Sequence, residues 1–179
     1  MSVRRKILPR WTRASSVAIL LALAARLPEA LAATASSSFT VTGNVVANCS
    51  ITTVGPTIAY DPVVANTSAN ATGTGTVTIA CTKGSAPNIG LNAGNNSAAA
   101  GGLTPVAPRA MRLAATANYL GYDIYWPGTT TSWTTANPYI PSAPTSKAAR
   151  TFNMDTVVFG GQDVTVGTYT DTVTATVNF

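Results

Sequence analysis

The 179-residue chain contains no histidine and a single glutamate, Glu29. Without histidine there is no imidazole base for a Ser-His-Asp arrangement. The remaining acids, Asp61, Asp123, Asp155, Asp163 and Asp171, are scattered, whereas paired-carboxylate hydrolysis needs two acids facing each other across a bond. Asp163 and Asp171 flank a turn, and both read as ordinary loop and turn residues. The two cysteines, Cys49 and Cys81, form no Cys-x-x-Cys pair and have no imidazole partner, which makes a poor zinc site. No stretch keeps a helical period, so no glycine-rich loop opens a helix to hold phosphate. No catalytic residue, metal or cofactor is expected.

Long apolar runs are also lacking. The longest, Ala14 to Ala25, is interrupted only by Ser15 and Ser16 and closed by Arg26. At about a dozen residues it falls short of the roughly 20 that span a bilayer. It follows a basic head (Arg4, Arg5, Lys6, Arg10, Arg13) and precedes Ala30-Leu31-Ala32, small residues where a signal peptidase reads. Residues 1–32 are therefore expected to be a secretory signal peptide, with no membrane span.

Removing that segment changes the electrostatics. Six of the eleven basic residues lie within it, leaving Lys83, Arg109, Arg112, Lys147 and Arg150 against five aspartates; five minus five is zero. The sequence pI near 9.6 belongs to the export signal, and the basic patch of a nucleic-acid binder is missing. The 147 residues left (179 less 32) suffice for one domain with a real core. In an oxidising compartment two cysteines have one intramolecular pairing, Cys49 with Cys81, favoured over buried free thiols.

What is abundant is threonine, serine, alanine, glycine, asparagine and valine, a vocabulary of strands and turns. Phe39 to Val45 alternates apolar with polar, the period of a strand with one buried face. Short strands are expected at Cys49 to Ile51, Ile58 to Val63, Thr76 to Cys81, Asn88 to Asn92, Arg109 to Leu113 and Leu120 to Trp126. Two more are expected near Thr151 to Met154 and Thr156 to Phe159, with Asn66 to Gly75 a loop. From Gly167 to Phe179 the alternation is complete: Tyr169, Val173, Ala175, Val177 and Phe179 share one face, and threonines with Asn178 the other. This run is expected to be one continuous strand, and the whole an all-β sandwich. Trp126 and Trp133 bracket a Pro127-Gly128 turn; they either stack on sugars or pack a hairpin, and packing is favoured. Sequons at Asn66 and Asn70 are what so polar a composition generates by chance.

The ordered motifs resemble the spore coat protein U domain family, which includes subunits of archaic (Csu-type) chaperone-usher pili. They are Cys49 after an alternating segment, Tyr60-Asp61-Pro62, Thr78 through Gly84, Arg109-Ala110-Met111, Leu120 through Tyr125, Phe159-Gly160, and Gly167-Thr168-Tyr169-Thr170-Asp171 running to a terminal aromatic. The likeness covers the whole mature chain; the stretch between Gly160 and Gly167 is shorter than is usual in the family. The resemblance implies an incomplete immunoglobulin-like β-sandwich, lacking one strand and completed by a donated one. A periplasmic chaperone fills the gap first, and a neighbouring subunit's N-terminal strand replaces it at an outer-membrane usher. On that reading residues 33–47 are the donor segment, with Phe39, Val41, Gly43 and Val45 entering pockets, and residues 48–179 the pilin body. Tyr169, Val173, Ala175, Val177 and Phe179 line the groove and meet the chaperone.

The implied function is a structural subunit of a surface fimbrium, reached through the periplasm and serving adhesion and biofilm formation. A strand ending with the chain leaves an edge that needs a partner, and an alternating segment can supply one by strand addition. The alternatives are a self-complete secreted coat protein and a small carbohydrate-binding module using Trp126 and Trp133.

Overall fold

The computed structural model describes residues 33–179; the expected signal peptide lies outside the described residues. Two units are distinguished, Met1–Gly43 and Asn44–Phe179. In the first, residues 33–43 carry no regular secondary structure, and Phe39 and Val41 are 87% and 82% exposed. The Phe39 to Val45 strand read from the sequence is therefore not formed within this chain.

The second unit is built from strands β1 (Cys49–Val54), β2 (Ala71–Cys81), β3 (Asn88–Leu91), β4 (Arg109–Leu113), β5 (Tyr119–Tyr125), β6 (Arg150–Val158), β7 (Tyr169–Thr170) and β8 (Ala175–Asn178). One helical turn, α1 (Ser97–Ala100), interrupts them, where the sequence suggested no helix. The strands form a six-stranded antiparallel sheet in the order β1-β2-β6-β5-β4-β7, faced by the pair β3-β8. Alternate residues of β2, Val77, Ile79 and Cys81, point into the core, as a strand with one covered face requires. Ile89 and Leu91 of β3, Leu120 and Ile124 of β5, and Met154 and Val158 of β6 complete it with Trp133.

Cys49 and Cys81 stand opposite each other at the start of the β1–β2 pairing and are joined in a disulfide. Closing a loop of this length stabilises the fold by about 3 to 4 kcal/mol on the chain-entropy argument. On the polar face Thr78 and Thr151 join their hydroxyls across β2 and β6 at 2.8 Å, a cross-strand pair of the kind that fixes register.

Several sequence expectations are corrected. Ala71 to Gly75, read as loop, belongs to β2, because Gly73 and Gly75 are needed where another segment crosses rather than in a turn. The two strands expected at 151–154 and 156–159 are one, β6. Ile58 to Tyr60 is irregular, and the chain turns after Asp61, whose carboxylate accepts from the main-chain N–H groups of Val63 and Val64. The terminal run is not one strand. It pairs with β4 through Tyr169 and Thr170, breaks, and pairs with β3 from Ala175. In- and outward alternation survives the break, so the same period-2 sequence serves two sheets.

Candidate functional site

The sandwich is open along one side. After Val54 the chain leaves the edge of the sheet and crosses low over β2. A Cβ on Gly75 would lie 2.6 Å from the Val54 carbonyl oxygen and 2.9 Å from Pro56, and one on Gly73 would meet Ile58 at 2.6 Å. On the far side, Val164 to Thr174 runs past the end of β4 toward β3. Between the two segments lies a groove of about 1020 Å³, floored by Leu91, Met111, Leu120, Tyr122, Ile124 and Met154. Its walls are Thr53 to Val63 on one side and Val164 to Ala175 on the other.

Stretches of both walls carry backbone without main-chain partners, although Thr165 O accepts from Tyr169 Oη at 2.8 Å. Among the described residues, no main-chain hydrogen bond outside the strand ladders involves Gly55 to Tyr60 or Val164 to Thr168. β1 and β7 are the edges of the large sheet. Unpaired edges on both sides of an apolar floor form a template for an extended peptide. At about 1020 Å³ the groove also reaches the upper end of small-molecule sites; the free backbone on both walls is what favours a strand.

Asp171 holds the point where the terminal run changes sheets. Its carboxylate accepts from Tyr122 Oη at 2.7 Å, from the N–H groups of Asn95 and Thr172 at 2.9 Å, and from Asn96 Nδ2 at 3.0 Å. Gly94, at φ +81°, presses against this carboxylate where a Cβ would collide with it. Asn92 continues the clamp: its N–H donates to Thr174 O and its Oδ1 accepts from Thr174 N. Burial first, then the hydrogen bond and negative charge of Asp171, push the Tyr122 phenol well above its ordinary value. Burial also raises Tyr125, helped by the charge of Asp123.

Beneath the groove, Arg109 and Asp123 form a buried ion pair. Arg109 also donates to the carbonyls of Asn92 and Trp133. A charge that deep is tolerated only when paired and fully hydrogen-bonded. Gln162, also buried, accepts from Gly121 N and donates to the carbonyls of Gly121 and Phe159. Arg109, Asp123 and Asp171 lie within motifs quoted from the sequence and Gln162 does not, but none was expected to be a buried polar anchor; a lone polar residue beside a strand carries no signal of burial.

The expected groove residues divide. Tyr169, Val173 and Ala175 line it. Val177 lies opposite Ile89 in the β3–β8 pair and packs on the core, and Phe179 follows β8 at 51% exposure; neither is part of the lining. Phe39, Val41, Gly43 and Val45 are all exposed. Trp133 is fully buried, with Nε1 donating to Ile89 O at 2.6 Å. Tyr139 bridges it to Trp126 and Phe152. This is a packing cluster, which removes Trp133 from any sugar platform. Asn66 is likewise buried, its amide donating to Ala69 O.

An all-β sandwich with one strand's worth of open core defines a class of incomplete sandwich domains. Within it, the chain belongs to the Spore Coat Protein U domain family, whose match spans residues 35–176. It is 37% identical over 157 residues to Protein U of Myxococcus xanthus, covering 83% of this chain and 87% of that one. In fold it is similar to a chain of the CsuC-CsuE chaperone-tip adhesion subunit pre-assembly complex from the archaic chaperone-usher Csu pili of Acinetobacter baumannii. That similarity has a TM-score of 0.53 at 21% identity and covers 75% of this chain but 40% of the other.

Proposed function

We propose that this protein is a structural, non-enzymatic subunit of an extracellular fimbrium, assembled by donation of the Phe39 to Val45 segment into the groove of a neighbouring copy or related subunit. The observation that carries the reading is the groove itself, an apolar channel between two unpaired backbone edges. Phe39, Val41 and Val45 are 87%, 82% and 84% exposed on an alternating segment. Each such side chain is worth about 1.5 to 3 kcal/mol when buried. Residues 33–47 then act as donor and 48–179 as acceptor body. A periplasmic chaperone fills the groove before an outer-membrane usher exchanges it, and the assembled fibre supports surface adhesion and biofilm formation. The fold shared with a chaperone-bound pilus subunit complex and the family membership support this route.

A self-complete coat protein is the second reading, since Protein U, 37% identical, covers 83% of this chain. Geometry disfavours it. Asn48 and Val46 are hydrogen-bonded to Thr82 at the start of β1, whereas the groove begins at Thr53. Doubling back past five strand residues takes about 16 Å, which would leave Val45 outside its own groove.

Val41→Asp tests the proposal by carrying a carboxylate into the apolar floor, where an unpaired charge is poorly tolerated. The variant is expected to fold and bind its chaperone but form no fibres by electron microscopy. Fibres of normal length would overturn the proposal in favour of the coat-protein reading.

A further inference from the structure

The charged side chains on the surface are sorted along the long strands. At one end of the sandwich lie Lys83, just past β2, Lys147, and Arg150, which opens β6 opposite Ile79. Gly84 N donates to Pro144 O at 2.9 Å and ties the two loops together, and Lys147 shares a hollow with Asn48, Cys49 and Thr82. At the other end, where β2 begins opposite Val158, lie Asp61 and Asp163. Their loops are joined by Gln162 N donating to Tyr60 Oη at 2.9 Å and Gly161 N donating to Asn66 O at 2.9 Å. Arg112 also lies toward this end, its guanidinium donating into its own hairpin at Ala115 and Thr116; two carboxylates less this one cation leave the end negative by one, against three cations at the other. Arg109 and Asp123 neutralise each other inside, Asp155 accepts from Gly128 N, and Asp171 is held in its clamp. The eleven residues of β2 span roughly 33 Å, about three Debye lengths at 0.1 M salt, so each end presents its own charge.

The path of the chain gives this polarity a direction. The N-terminal segment leaves from the basic end, where Asn48 N donates to Thr82 Oγ1 and Thr82 Oγ1 donates to Val46 O. The groove opens beside the acidic end: Pro62, Val63 and Val164 line it next to Asp61 and Asp163. A strand lying antiparallel to the Tyr169 to Asn178 wall would emerge there with Val45. Two residues, Val46 and Ala47, then lie between Val45 and Asn48, three steps of chain with a reach of about 10 Å at most. The basic end of the donor copy is thereby drawn onto the acidic end of the acceptor.

We propose that Lys83 and Lys147 of one copy face Asp61 and Asp163 of the next, an electrostatic seam that steers head-to-tail association of the subunit. The seam rests on the strand-donation reading and adds a second contact surface to it. Charges placed at a rim act mainly on the rate of association and on its salt dependence.

The test compares the 33–179 chain with its Lys83→Glu/Lys147→Glu variant, assembling after dilution from denaturant and followed by light scattering. A labelled peptide of Ser37 to Ala47, which carries neither lysine, reports groove binding in parallel. The variant is expected to assemble about tenfold more slowly at low ionic strength, to approach wild type in high salt, and to bind the peptide as wild type does. Adding Asp163→Lys should restore part of the rate. A variant that assembles at the wild-type rate while binding the peptide overturns the seam and leaves strand donation standing. A wild-type chain that neither assembles nor binds the peptide added during dilution overturns strand donation, and the seam with it.

Discussion

At the scale of single residues, the fold depends on a few polar groups held where solvent does not reach them. Arg109→Met would strip Asp123 of its partner in the core, and breaking a buried pair from one side costs about 3 to 5 kcal/mol. Urea unfolding should show that loss, and adding Asp123→Leu should recover much of it. The Tyr122–Asp171 contact predicts an alkaline limit. Because the folded state holds the Tyr122 proton well above the ordinary phenol value, its contribution is fully present below pH about 10. Above that the unfolded chain ionises first, so stability falls as pH rises. Tyr122→Phe should lower stability at neutral pH by about 1 kcal/mol and flatten the decline between pH 10 and 12, with Tyr125 accounting for the slope that remains. An equal decline in both proteins would contradict the assignment.

At the scale of elements, β1 is the strand whose position keeps the groove open. It is stitched to β2 by the Cys49–Cys81 disulfide at one end and released at Val54, where Gly75 lets the chain cross. Mass spectrometry after alkylation without reduction should find no free thiol. Cys49→Ser/Cys81→Ser should destabilise by about 3 to 4 kcal/mol. Gly75→Ala should push Val54 and Pro56 away from β2 and cost about 1 to 3 kcal/mol, as overpacking does.

The period-2 signal made the second half of β2 and the terminal run legible in the sequence, because each has one covered face; it missed Ala71 to Gly75 of β2 and divided β6 in two. It could not show where the terminal run changes partner. Alternation continues unbroken through Thr172 and Thr174, and the change is made by Asp171 and Asn92, whose hydrogen bonds reach residues about 80 positions away. The shared face of Tyr169, Val173 and Ala175 was legible for the same reason the strand was, and these three line the groove. The floor was not, since Met111, Leu120 and Met154 come from three strands that only the fold brings together. Val177 shares the face of Val173, yet pairing with β3 turns it to closed core rather than to the groove.

At the scale of the whole molecule, the sandwich is a body with a groove open along its core, and Phe39, Val41 and Val45 are exposed on an alternating segment. The two match in kind: an extended alternating chain on one side, and unpaired edges over an apolar floor on the other. Register is expected to be strict, because a one-residue slip would turn Phe39, Val41 and Val45 together toward solvent. Phe179, half exposed beyond β8, contributes little to the isolated body. Phe179→Ala should change its stability by less than about 1 kcal/mol, and any larger effect should be confined to capture by a chaperone.

The most direct measurement places a photo-crosslinking amino acid at position 41 and assembles an equal mixture of ordinary and nitrogen-15-labelled chains. After irradiation and digestion, the account predicts crosslinks from position 41 to groove-floor peptides containing Leu120, Tyr122 or Met154. A large share of the pairs should combine one labelled and one unlabelled peptide, since donor and acceptor are different copies. Pairs drawn only from the same copy, or crosslinks that avoid the groove floor, would contradict it.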